Sequence, residues 1–236
     1  MMKIITIGRQ FGSGGRELGK RLAERLGWDY YDKEIIEALS EEQGMGQEQI
    51  REALSNHGWH SVQLTYRNSF AHLGFDHGMR THLLIRQREI IRDIAEAGND
   101  CIIVGRDADV ILQEHRPFRV YVCADIQSRL DRCMAYEQKQ PASRRLTQKE
   151  ILRNIRQIDR SRSRTREVLT GKRRSDGSMF DLTVNATGWD PGPMASAVAD
   201  FAMRWFNARD EKTAALKEGN TADEAAFSAK VEGVRP

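Results

Sequence analysis

Cysteine is scarce. The 236-residue chain has only Cys101, Cys123 and Cys133, an odd number with no CxxC pair, which speaks against a disulfide framework or a thiolate zinc site and for reduced, mostly buried thiols. Long apolar runs are also missing. The longest, Cys101-Ile102-Ile103-Val104 and Val120-Tyr121-Val122-Cys123, fall far short of the roughly 20 residues needed to cross a bilayer, so no membrane partner is expected. The start, Met1 to Gly8, is too short for a signal-peptide core and runs straight into a glycine loop, so the expected compartment is the cytoplasm. With five prolines and 39% hydrophobic residues, the composition excludes wholesale disorder and fits one sizeable globular domain.

Acid and base nearly balance, at 34 Asp and Glu against 37 Lys and Arg, but they are unevenly spread. Residues 141–174 hold twelve Lys and Arg against three acids, a local charge of +9 that leaves −6 for the rest. Such a segment asks for an anionic partner. Few aromatics interleave with these basic residues and no reading motif is visible, so nucleic acid is not the expected partner.

Residues 3–8 (KIITIG) are a short β-branched run, as expected of a strand buried on both faces of a parallel sheet. A glycine-rich turn follows, and Leu18, Leu22, Ala23 and Leu26 then recur at helical spacing up to Gly27, which predicts a helix over 16–26. Further expected elements are a strand at 28–32, helices over 33–41 and 81–97, and strands at 101–105 and 118–124. Helices over about 107–114, 126–137 and 147–168, a strand over 180–185 and a helix over 192–207 complete the pattern. Strands alternating with helices predict an α/β fold with a parallel sheet covered on both faces. The expected organisation is one domain over 1–207, with a helical insertion or acceptor-side subdomain at 42–90 and an arginine-rich lid region at 141–174. A disordered or loosely helical tail is expected at 208–236.

Gly8-Arg9-Gln10-Phe11-Gly12-Ser13-Gly14-Gly15-Arg16 links the first strand to the first helix. Backbone N–H groups of such a turn converge on phosphate, helped by the helix N-terminus, so Gly12, Ser13, Gly14, Gly15 and Arg16 are the candidate nucleotide-binding residues. The loop departs from the Walker pattern GxxxxGK[ST]: Arg9 falls at the first glycine, Gly15 at the lysine and Arg16 at the Ser/Thr. A magnesium-binding hydroxyl and a phosphate-binding cation are therefore missing, and Arg16 is the candidate to restore the charge. No magnesium ligand is assigned.

The segments ITIGRQFGSGGRELGKRLAERLG, IIVGRDADVIL, RVYVCADIQSRLDRCM, IDRSRSRTREVLTGK and FDLTVNAT, in this order, resemble the cytidylate kinase-like proteins, relatives of bacterial cytidylate kinase among the P-loop nucleoside monophosphate kinases. The resemblance implies a three-layer α/β/α fold of about five parallel strands with an arginine-bearing lid. It implies transfer of the γ-phosphoryl group of ATP to CMP or dCMP with Mg2+. Gly105-Arg106-Asp107 resembles the family's GRD, so Arg106, with Asp107 beside it, inherits contact with the acceptor phosphate. Asp159-Arg160-Ser161-Arg162-Ser163-Arg164 resembles the lid sequence DRDRNR, with Ser161 where that sequence has an acid. This makes Arg160, Arg162 and Arg164 catalytic candidates together with Arg16, and Asp159 an acceptor-binding one, as is Arg129, which matches a family arginine. Asp32, just past the second strand, stands at the ligand-bearing edge of a doubly wound sheet and joins the acceptor-binding candidates, with helix capping as its alternative role.

On a helix, Arg160 shares a face with Arg164, and Arg162 with Arg166, so only part of the lid cluster can meet one ligand. His57, His60, His72, His77 and His82 lie close in sequence but lack a metal-ligand spacing. Two alternatives stay open: a nucleotide-binding regulator without kinase activity, and a kinase of another small-molecule acceptor. A homodimer is compatible with everything above.

Overall fold

The computed structural model describes residues 2–47, 49–50, 77–141, 145–171 and 177–232. Five strands, β1 (Ile4–Arg9), β2 (Asp29–Tyr31), β3 (Cys101–Val104), β4 (Phe118–Cys123) and β5 (Leu182–Asn185), form one sheet. Their spatial order is β2-β3-β1-β4-β5, and every adjacent pair is parallel. The uninterrupted β-branched runs of β1 and β3 follow from burial on both faces: Ile5 and Ile7 enter one core and Ile4 the other, as do Ile102 and Val104 against Cys101 and Ile103.

The helices follow the same logic of one apolar stripe each. Helix α1 (Gly15–Leu26) and the last helix, α7 (Pro191–Glu232), cover one face. There Phe206 is fully buried, its ring centroid 5.9 Å from that of Trp28 and 6.2 Å from that of Phe118. Truncating an aromatic so enclosed costs about 3–5 kcal/mol. Helices α2 (Glu34–Gln43), α3 (His77–Glu96) and the short α4 (Ala108–Ile111) cover the other face over β2 and β3. Helices α5 (Ile126–Gln138) and α6 (Gln148–Thr170) form a pair with a small core of their own, Leu130, Ile151 and Ile155, into which Phe11 of the glycine turn packs.

Because all strands run the same way, Arg9, Tyr31, Val104, Cys123 and Asn185 all end at one edge. The chain leaves β1 toward β2 and leaves β4 toward β5, on opposite sides, so a crevice opens beyond the ends of β1 and β4. The glycine turn lies there.

Two expectations differ from what is seen. The helix expected over 107–114 stops at Ile111 and gives way to a 3-10 turn at Gln113–His115, closed by Arg116 at φ +49°. The helix expected to end near 207 continues to Glu232, because Ala, Glu and Lys favour helix by propensity even where few large apolar groups exist to be buried. The insertion expected over 42–90 falls mostly on 51–76, outside the described residues, together with His57, His60, His72 and the aromatic residues between them. No helix among the described residues is long and apolar enough to cross a membrane.

Candidate active site

The turn after β1 is shaped by residues that only glycine can replace. Gly12 and Gly14 have φ of +76° and +85°, where a Cβ is strained, and a Cβ on Gly12 would lie 2.9 Å from the Arg129 carbonyl oxygen. Ser13 is buried and its hydroxyl donates to the Gln10 carbonyl at 2.9 Å. Gln10 in turn locks the turn onto β4: its N–H donates to Val122 O at 2.9 Å and its Oε1 accepts from Ala124 N at 3.0 Å. Gly14 is the N-cap of α1 and makes no side-chain cap hydrogen bond, so the helix N-terminus faces the turn, an arrangement suited to an anion.

Asp32 lies beside this turn and is only 5% exposed. One of its oxygens accepts from Arg9 Nη2 at 3.2 Å and the other pairs with Arg16 Nε. The helix that follows begins with Lys33 as its N-cap and no side-chain cap, so Asp32 has the charged role and not the capping one. Burial, and then the nearby Asp32 carboxylate, push the Tyr30 hydroxyl up to about 12. Next to Asp32, Gly105, Arg106 and Asp107 turn the chain out of β3 with φ of +82°, +59° and +51°. Two non-glycine residues in the left-handed region cost on the order of 1–3 kcal/mol each and persist only where the surroundings hold them.

That hold comes from α6. Arg166, 2% exposed, donates from Nη1 to Asp109 Oδ1 at 2.9 Å and reaches Asp107 Oδ1 at 3.5 Å, with Nη2 on Asp109 Oδ2. Its guanidinium also lies 5.0 Å over the Phe180 ring. Burial opposes the Arg166 charge, but hydrogen bonds and charges from Asp109 and Asp107 outweigh it and raise its pKa.

One turn earlier, Arg162 Nη1 donates to the Arg9 carbonyl at 3.2 Å, and its guanidinium lies 5.9 Å from the Phe11 ring centre. Asp159 accepts from the Phe11 N–H at 2.8 Å and pairs through its other oxygen with Arg129, whose Nε donates to the Phe11 carbonyl at 2.7 Å.

The expected site residues therefore divide. Gly12 to Arg16, Asp32, Arg106, Arg129, Asp159 and Arg162 meet at one edge of the sheet. Asp107 is 7% exposed and faces Arg166, while Arg160 and Arg164 lie on the exposed side of α6. Sequence reasoning passed over Arg9, Asp109 and the anchoring part of Arg166, although the spacing of four from Arg162 to Arg166 is its signal. Beside the Arg106 turn, a cleft of about 850 Å3 opens between α3, α4 and the end of α6. Arg88, Arg106, Arg116, Arg119 and Arg166 line it together with Asp107, Asp109 and Asp181.

Comparison with known proteins agrees with this fold. A curated cytidylate kinase from Salinibacter ruber (strain DSM 13855 / M31) is 28% identical over 105 residues, 44% of this chain and 45% of the relative, so the chain spans less than half of that relative's length. Among solved structures, an uncharacterized protein from Eubacterium ventriosum ATCC 27560 superposes with a TM-score of 0.61 at 21% identity, covering 85% of this chain and 98% of that one. A shikimate kinase from Acinetobacter baumannii in complex with shikimate superposes with a TM-score of 0.50 at 13% identity, over 86% and 94% of the two chains. These likenesses place the fold among the P-loop kinases. A family model matches residues 4–188, and the chain belongs to the cytidylate kinase-like family.

Proposed function

We propose that this protein transfers the γ-phosphoryl group of ATP to a nucleoside monophosphate, CMP or dCMP first among them, in the cytoplasm and with Mg2+. The observation that carries the reading is the convergence of a helix-backed glycine turn, Arg106 and the lid residue Arg162 on one sheet edge. Phosphoryl transfer needs positive charge fixed around the moving group and exclusion of water more than it needs a covalent group.

In this reading the amides of Gly12 to Arg16 hold the donor phosphates and Arg106 holds the acceptor phosphate. Arg162, on the inner face of α6, covers the transferred group, and Arg160 and Arg164 on the outer face add positive potential around it. Arg129 and Asp159 hold Phe11 and so fix the shape of the turn. Among the described residues no cluster of three or more metal-ligating side chains forms. Magnesium is bound by one or two carboxylates plus substrate phosphates; both oxygens of Asp32 are taken by Arg9 and Arg16, so the substrate phosphates would be the ion's main ligands here. When bound, the ion would neutralise phosphate charge.

The second reading, a kinase of another small anionic acceptor, is favoured by the cleft beside Arg106, whose wall carries five arginines and three aspartates. The testing experiment is a coupled ADP-release assay with ATP and Mg2+ across CMP, dCMP, UMP, AMP and GMP, beside an Arg106→Ala variant. Turnover with CMP or dCMP that collapses in the variant is expected. ATP binding with no turnover on any of the five acceptors would defeat the nucleotide reading.

A further inference from the structure

The glycine turn differs from the Walker pattern at two places, and the structure makes them one. A Cβ on Gly15, where the pattern has lysine, would stand 2.8 Å from the Arg9 Cβ, 3.4 Å from the Arg9 Cγ and 3.3 Å from the Val122 Cβ. These atoms belong to the stem of a side chain at a strand end and to a core valine, neither of which can swing aside. Arg9, where the pattern has its first glycine, thus occupies the space through which a side chain at position 15 would leave. With glycine at 9 that obstacle vanishes, so the two positions exclude each other's side chains.

Arg9 then runs across the sheet edge to the end of β3. A Cβ on Gly105 would lie 1.8 Å from Arg9 Nη1, so the side chain lies in a slot whose floor is Gly15 under its stem and Gly105 under its guanidinium. There it donates from Nη2 to Asp32 Oδ1 at 3.2 Å, and its own carbonyl accepts from the lid residue Arg162 at 3.2 Å. Its side chain is 14% exposed, whereas that of Arg16 is 68% exposed at the rim, tethered to the other oxygen of Asp32.

We propose that Arg9 takes the part of the Walker lysine: the cation has moved from position 15 to position 9, and its guanidinium reaches the transferred phosphoryl group between donor turn and acceptor side. The assignment rests on the phosphotransferase reading above and deepens it. A guanidinium suits this place because it keeps its charge when largely buried and can fork onto two phosphate oxygens. Asp32 orients it from below, and Arg16 serves as an outer contact to the nucleotide.

The test is a double-mutant cycle of Arg9→Gly and Gly15→Lys with Arg9→Gln and Arg16→Ala alongside, read by calorimetric binding of ATP with Mg2+, ADP release with the best acceptor and thermal melting. Arg9→Gln, which keeps the stem, should melt near the wild type yet bind ATP about 10-fold to 100-fold more weakly, the size of one lost charged contact. Arg16→Ala should lose less. Gly15→Lys alone should melt lower and bind poorly because of Arg9. The double variant should bind ATP at least tenfold better than either single variant. ATP affinity untouched by Arg9→Gln, or a cycle whose two single effects simply add, would overturn the assignment. Wild-type ATP binding without turnover would instead defeat the phosphotransferase reading, and the binding cycle would still decide the part played by Arg9.

Discussion

Arg166→Met isolates the contact that holds α6 to the turn after β3. The arginine is 2% exposed, and its partners Asp109 and Asp107 are 8% and 7% exposed. Methionine fills much of the same space, so the change removes a charge more than a volume and leaves two buried carboxylates facing an apolar side chain. Breaking a buried ion pair from one side costs about 3–5 kcal/mol. The lost stacking on Phe180 at 5.0 Å adds to this. For a chain of this length about 2–4 °C of melting temperature goes with each kcal/mol, so a fall of about 6–20 °C is expected.

The Arg106 turn should loosen with it, because Arg166 closes over Asp107 while that turn holds two non-glycine residues in the left-handed region. Thermal and urea unfolding of wild type, Arg166→Met and Arg166→Met/Asp109→Asn give the assay. The double variant should recover stability relative to the single one, since asparagine has no charge to strand. A fall below about 3 °C in the single variant, or a double variant less stable than the single one, would refute the view that this buried cluster anchors α6.

Asp159→Ala should speed amide exchange at Phe11 and lower stability by about 1.5–3 kcal/mol, because it removes the acceptor of the Phe11 N–H and strands the buried Arg129. Asp159→Asn, which can still accept that N–H, should lose less. Thr147→Ala removes the capping box of α6 and should cost about 1 kcal/mol in urea unfolding at neutral pH. Hydrogen bonds from Thr147 lower the pKa of Glu150, so the cap is fully present above the ordinary glutamate range. It is lost as pH falls through the lowered value, and the difference between wild type and Thr147→Ala should narrow in acid. Burial pushes the Cys101 thiol up to about 12 from 9.0, so alkylation followed by peptide mapping should find it unmodified at pH 8 in the native protein. Ionisation favours the unfolded chain here, so stability should decline as pH rises between those two values.

The central strands β1 and β3 were legible because they are buried on both faces, and double burial writes itself as unbroken runs such as Cys101-Ile102-Ile103-Val104 that no helix period fits. Helix α1 was equally plain, with an apolar stripe and Gly27 as its stop signal. The length of α7 was not, since beyond residue 207 the chain has few large apolar groups from which to read a period, and helix there follows propensity alone. The early end of α4 escaped for a different reason: after Leu112 the chain tightens into a 3-10 turn that Arg116 closes in a left-handed conformation, which no residue type at these positions announces.

The site was legible in proportion to how local its geometry is. Glycines that form a turn are read from adjacent positions, and the split of the lid arginines into an inner and an outer set follows from the helix period. For the missing cation the sequence points to Arg16, because it is next in the chain. The space left by Gly15 is filled instead from six residues upstream, through a slot whose other wall, Gly105, lies ninety residues away. Sequence marks the three positions only as an arginine and two glycines, each ordinary alone. Their relation exists only once β1 and β3 are paired in register, Ile7 against Val104, which puts the end of one strand under the turn that leaves the other. A departure from a motif therefore says that a group is absent from its usual position, while packing across the sheet edge decides whether the charge is absent from the site.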